Sequence, residues 1–156
     1  MRIDIDEFVG TGQLGPFHRG LSLVQLQAIT SGLTLVLLRF RPDQHFYSIG
    51  HILFDFPTNP DACGCNISLY FPHPTTNASR DYDFSNWPDP RFEWVVNNVK
   101  PELKYPDASR IFPEFTNFGD GNPVIDLIND TSNVNLIFHR VPETDEHELI
   151  MAHAQQ

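Results

Sequence analysis

The side chains able to bind metal, attack a carbonyl or move a proton in this sequence are seven histidines, two cysteines and twenty carboxylates. The histidines are His18, His45, His51, His73, His139, His147 and His153. His147-Glu148 opens like a zinc-protease signature, which needs a second histidine four residues on to share a helical face. Met151 stands at that position, and the next histidine is His153. On a strand, His147, Leu149, Met151 and His153 would line one face, an arrangement with no evident zinc site. Cys63 and Cys65 are separated by one residue. A disulfide across that spacing is strained, and metal sites favour wider spacing with a second ligand pair elsewhere. Two reduced structural thiols are therefore expected, with no metal and no cofactor. The sequence has no Gly-x-Ser-x-Gly elbow, phosphate loop or dinucleotide fingerprint, and Gly10-Thr11-Gly12 reads as a turn. An active site would have to be assembled in three dimensions. His45, His51, Asp55 and His139, on or beside predicted strands, are the residues available for it. A small-ligand binding domain is the other alternative.

The charge balance points elsewhere. Lysine and arginine total 10 against 20 acids, a formal charge of −10. Residues 111–156 carry eight acids and one base, Arg140. Phosphate backbones and anionic membranes would both be repelled by such a surface, whereas a basic protein would be steered towards it. No nucleic acid and no membrane is expected as a partner. The acidic opening, Met1 to Phe8, has neither the basic start nor the apolar block of a secretory leader, so the expected location is cytoplasmic.

The 156 residues, 40% of them apolar, suit one domain spanning 1–156. Ile3, Ile5, Phe8 and Val9 predict a short strand or helical turn. Ser22 caps a predicted helix over 22–30. Strands are predicted over 33–40, 45–56 and 66–71, the first two paired antiparallel across a short turn at Pro42-Asp43. Six prolines between 57 and 90 predict a long loop over 72–90. That loop carries Asp81, Tyr82, Asp83, Trp87 and Asp89. Acids interleaved with Tyr and Trp are the composition of an interface anchor. Pro90 follows Asp89 as a helix start, with Phe92, Val95, Val96 and Val99 as its apolar stripe and Pro101 as its end. Residues 100–123 are broken by further prolines. Strands follow over 124–128, 134–141 and 148–152, separated by a turn at 129–133. The expected fold is a single α+β domain, mainly antiparallel sheet, with one or two short helices packed on one face.

Two segments carry a family resemblance. Residues 111–115, then Gly119-Asp120-Gly121-Asn122-Pro123 leading into Val124–Leu127, then Val134–His139 and an acidic stretch, about a quarter of the chain, resemble the end of SUKH-superfamily domains. Gly12 to Ser22, with Leu14-Gly15-Pro16 and a Gly20-Leu21-Ser22 cap before a short helix, resembles the opening of small Leu-Gly-Pro-type immunity domains, with Leu21 where methionine is usual. Both groups occur among bacterial toxin-immunity proteins. The resemblance implies a cytoplasmic protein, not an enzyme, that neutralises a cognate protein toxin by tight one-to-one binding. An acidic inhibitor suits a basic toxin such as a nuclease, whose active-site cleft its carboxylates would occupy. The expected contacts are Asp81, Tyr82, Asp83, Trp87 and Asp89, with Asp120, Asp145 and Glu146 as a second acidic set.

Overall fold

The computed structural model describes residues 1–38, 45–56, 64–74, 87–119 and 123–155. Eight strands form one antiparallel sheet: β4 (Val36–Leu38), β5 (His45–Ile49), β6 (Ile52–Phe56), β7 (Asn66–Tyr70), β9 (Thr116–Phe118), β10 (Val124–Asn129), β11 (Val134–Arg140) and β12 (His147–Ala154). Their order across the sheet is β4-β5-β6-β7-β12-β11-β10-β9. β12, the last strand in the chain, thus lies in the middle, between β7 and β11. The helices are α1 (Ile5–Thr11), α2 (Leu23–Ile29) and α3 (Tyr105–Ile111). Two small ladders complete the layer over one sheet face. β1 (Arg2–Asp4) pairs parallel with β8 (Glu93–Val95), and β2 (Gln13–Leu14) pairs antiparallel with β3 (Phe17–His18). The α+β architecture is as expected, with three helices among the described residues where one or two were expected.

Alternation decides which side of the sheet is dry. Phe54, Phe56, Ile67, Leu69, Leu127, Leu136 and Phe138 point to the covered side and are almost wholly buried. Phe17 of β3 meets Phe54 edge-on at 5.1 Å and Phe92 at 6.5 Å. Tyr105 of α3 meets Phe138 at 6.0 Å. α1 is tied down by the Ser132 hydroxyl, which donates to the Val9 carbonyl at 3.1 Å. It is tied also by Asp6, whose carboxylate accepts from the Val99 amide at 3.0 Å and the Asn98 side chain at 2.8 Å. Its chain leaves through Gly12 at φ +74°, where a Cβ would stand 3.2 Å from the Ser132 carbonyl oxygen.

Local signals account for much of this. Ser22 caps α2 with a reciprocal box: its hydroxyl accepts from the Gln25 amide at 3.3 Å, and Gln25 Oε1 accepts from the Ser22 amide at 2.9 Å. The turn at 129–133 is an Asx turn, with Asn129 accepting from the amides of Thr131 and Ser132.

Four expectations are corrected. The single strand over 45–56 is a hairpin, turning at Gly50-His51 between β5 and β6. β6 is buried on both faces, Leu53 included, and Gly50-His51 falls between apolar residues on either side, so alternation alone hid the turn. The helix over 90–99 is instead a turn, then β8, because Glu93, Trp94 and Val95 pair with the N-terminal strand. Residues 100–123 hold α3 and β9, since Pro106 falls in the first turn of α3, where its missing amide costs nothing. Finally, His147, Leu149, Met151 and His153 do not share a face. The β11–β12 register shifts between Ile137 and Phe138, so that Met151 opposes Ile137 while Leu149 opposes Phe138. One extra residue in β12, Ile150, turns Ala152 and Ala154 inward and Met151 and His153 outward.

Gly50 stands at φ +55°, and a Cβ there would collide with the Asp89 carboxylate. Gly50→Ala is therefore expected to lower unfolding free energy by about 1–3 kcal/mol in chemical denaturation. Gly10→Ala, on α1 with nothing within 4 Å of the added carbon, should be neutral or stabilising.

Candidate functional site

Of the loop residues expected to meet a partner, Asp81, Tyr82 and Asp83 lie outside the described residues, as does Asp120. Trp87 and Asp89 are placed, and neither stands as an exposed anchor. Trp87 is half-buried in an aromatic cluster, 5.0 Å from His51, 5.2 Å from Phe71 and 5.2 Å from Trp94. Its large apolar surface is used to fasten the chain over the β5–β6 turn. Asp89 is 5% exposed. Its carboxylate accepts from Arg91 Nε at 2.9 and 3.1 Å and from the Arg91 amide at 3.0 Å. The Arg91 guanidinium holds Asp89 below the usual carboxylate range, and the pairing raises Arg91 in turn. A carboxylate so engaged has no free valence for a partner's cation.

The four residues from which an active site would be assembled do not come together. His45 and Asp55 sit at the open end of the β5–β6 hairpin and His51 in its turn, on a line of five residues. His139 is on β11, three strands away from β6, or roughly 14 Å at ordinary strand spacing. What the sheet does assemble near Asp55 is a different set. Ser68 Oγ and His153 Nδ1 are 2.7 Å apart across the β7–β12 pair. Burial lowers the His153 pKa and keeps the ring neutral, while Asp55 acts in the opposite sense. Burial likewise raises the Asp55 carboxyl. Ser68 is 4% exposed, so this bond stitches two strands together rather than presenting a nucleophile. Cys65, buried at the head of β7, has its thiol pushed up to about 12 by burial. That fits the structural thiol expected there. Cys63 lies outside the described residues.

The feature that chain order concealed is the second face of the sheet. Register places Val36, Ser48, Leu53, Ser68, His153, Asn135, Ile128 and Thr116 in one row across eight strands. Beside it runs Tyr70, Met151, Ile137, Asp126 and Phe118, followed by Glu148, His139 and Val124. Towards β5 to β7 this face is largely buried, and Phe46, Asn66 and Tyr70 make further contacts. Towards β12, β11, β10 and β9 it is open, covered by no described element. Val124, Asp126, Ile128, Ile137 and Met151 are only partly buried, and Phe118 is 53% exposed. α1 and α3, which touch β11 and β12, lie on the other side, with Val134 and Phe138. Among the described residues no lysine or arginine projects from this open half. Arg140, the sole base of residues 111–156, stands opposite His147 in the β11–β12 register and alternates to the opposite side.

The open half runs into an acidic turn. Glu143, Asp145 and Glu146 are exposed between β11 and β12. A groove of about 450 Å³ is lined there by Pro123, His139, Arg140, Pro142, Glu143, Thr144 and Asp145. Lys104 Nζ donates to Glu146 at 2.7 Å, a solvent-exposed pair of little energetic weight. Asp145 and Glu146 are thus the two expected contacts that the structure leaves accessible. The residue that sequence reasoning missed is Asp126. Its signal was available: Val124-Ile-Asp-Leu-Ile128 is apolar on both faces save for one carboxylate. Such a strand is buried on one side and sticky on the other. No protein-family model, curated protein or solved structure matches the chain. Among the described residues no group of three or more His, Cys, Asp or Glu could hold a metal ion, and no helix is long and apolar enough to cross a membrane.

Two outcomes follow for stability. Trp87→Ala should cost about 2–3 kcal/mol of unfolding free energy, somewhat less than a fully buried tryptophan, in denaturant melts. An unchanged midpoint would return Trp87 to the surface. His153 and His73 both have pKa values lowered by burial. The unfolded chain therefore takes up these protons first as pH falls below about 6.5. Their stabilising contribution is complete above that pH and is lost as pH falls towards the folded-state values. His153→Gln should flatten the fall in melting midpoint between pH 7 and pH 5 relative to the unmodified protein.

Proposed function

We propose that this chain is a protein-binding inhibitor of the immunity type, a cytoplasmic partner that neutralises a basic protein toxin by direct association. The observation that carries this reading is the outer half of the sheet: a large, partly apolar face, bordered by the exposed carboxylates of the β11–β12 turn, from which no lysine or arginine projects among the described residues. An apolar surface supplies contact energy once water is expelled. A one-signed charge field around it accelerates encounter with a protein of opposite sign and disfavours others. The resemblance of residues 12–22 and 111–139 to immunity domains supports the same reading. A toxin that cuts nucleic acid would suit it well, because its phosphate-binding cleft is cationic, and Asp145 and Glu146 would occupy that cleft as phosphate mimics.

The test is affinity capture with the full chain at low and high salt, with the retained protein identified and its association measured by surface plasmon resonance. A single basic partner is expected. Reversing Asp145 and Glu146 to lysine should slow its association at least tenfold at low salt, with dissociation changed less than threefold. Capture of an acidic partner, or association indifferent both to salt and to the reversal, would overturn the reading.

A further inference from the structure

We propose that Asp126, at the centre of the open sheet face, is the receptor for an arginine or lysine side chain presented by an apolar segment of the protein partner. This deepens the partner-binding reading and rests on it for the partner's charge. Two independent observations point to the site. The first is the setting. Asp126 stands directly opposite Ile137 on β11 and Phe118 on β9, with Val124 and Ile128 two residues away along its own strand. Four apolar side chains therefore frame one carboxylate, and Phe118 extends 53% exposed at the rim. The second is an unmet bond. Asp126 Oδ1 is buried and accepts no hydrogen bond.

A carboxylate in apolar surroundings without a donor is costly. Asp89 shows the alternative within the same chain, where Arg91 satisfies the group from two residues away. Among the described residues nothing comparable reaches Asp126. The titratable groups closest to it by register are His139, diagonal on β11, and Glu148 beyond it on β12. Burial raises the Asp126 carboxyl. A guanidinium or ammonium group entering the frame, with the carboxylate turned to meet it, would supply the missing donor, and its aliphatic stem would cover the surrounding apolar side chains. A second copy of the chain does not fit. Face to face it would bring Asp126, Glu148, His139 and His153 against their own images, with no lysine or arginine between them among the described residues. The occupant is a cationic residue flanked by apolar ones, as on the surface of a basic protein.

The probe is the tripeptide acetyl-Leu-Arg-Leu-amide, titrated into the isotope-labelled full chain and read by carboxyl and methyl NMR at pH 7. A saturable shift is expected at the Asp126 carboxyl carbon and at the methyls of Val124, Ile128 and Ile137. Acetyl-Leu-Gln-Leu-amide should bind at least tenfold more weakly. Asp126→Asn should weaken the arginine peptide at least tenfold and, by removing an unpartnered charge, raise the melting midpoint by roughly 2–4 °C. Phe118→Ala, at an exposed position, should weaken the peptide severalfold without altering the fold. Equal binding to Asp126→Asn and the unmodified protein would overturn the assignment, as would shifts confined to Asp145 and Glu146. With the captured partner, lost affinity in the Asp145/Glu146 reversal but not in Asp126→Asn would remove Asp126 alone. A partner that is not basic would remove the broader reading and leave the peptide result standing.

Discussion

The dry side of the eight-stranded sheet sets the position of everything else. Phe54, Phe56, Leu69, Leu127, Leu136 and Phe138 are fully or almost fully buried there, and each such side chain contributes about 1.5–3 kcal/mol relative to exposure. A slip of one residue in any strand would turn its set outward, so register is strongly specified. Once the covered side is fixed, the other side has no freedom. The same alternation that buries Ile125 and Leu127 must display Val124, Asp126 and Ile128. The candidate surface is in this sense a by-product of the core, built from residues the core does not use.

The irregularity in β12 shows how local this control is. The strand begins with Leu149 inward, beside Phe138, and ends with Ala152 and Ala154 inward, beside Leu136 and Val134. No uninterrupted two-residue period allows both. The extra residue at Ile150 reconciles them. It brings His153 onto the outer face, where it meets Ser68, and Met151 into the row that contains Asp126. The placing of Met151 and His153 on the outer face thus depends on one bulge, and the small side chain of Ala154 leaves room for α1 to approach through Gly12.

Electrostatics separates residues of identical type. Asp89, Asp126 and Asp145 are equally acidic as letters. Asp89 lies two residues from Arg91 in a turn that lets the guanidinium wrap its carboxylate. Asp145 is in water on a turn, where solvation satisfies it. Asp126 has neither a partner for Oδ1 nor free access of that oxygen to solvent. The first acid is structural, the second is a source of long-range field, and the third is the one whose surroundings favour a foreign cation.

By itself the sequence determined what is local. The capped helix α2, the Asx turn at 129–133, the strands β7, β10 and β11 and the acidic last third all follow from adjacent residues: a hydroxyl three positions before an amide, a two-residue alternation, a count of charges. The α+β class follows from the same signals. Tertiary structure alone decided the rest. Whether 45–56 was one strand or two depended on the turn at Gly50-His51, whose histidine is enclosed by residues distant in the chain. Whether Glu93–Val95 joined a helix or a strand depended on the N-terminus arriving alongside. Trp87 and Asp89 were legible as an aromatic and an acid, but their enclosure was not, because burial is set by neighbours distant in the chain. Asp126 was equally plain as a letter. Its isolation is a property of the sheet, since only pairing with β9 and β11 places apolar side chains on both sides of it and, among the described residues, no base within reach.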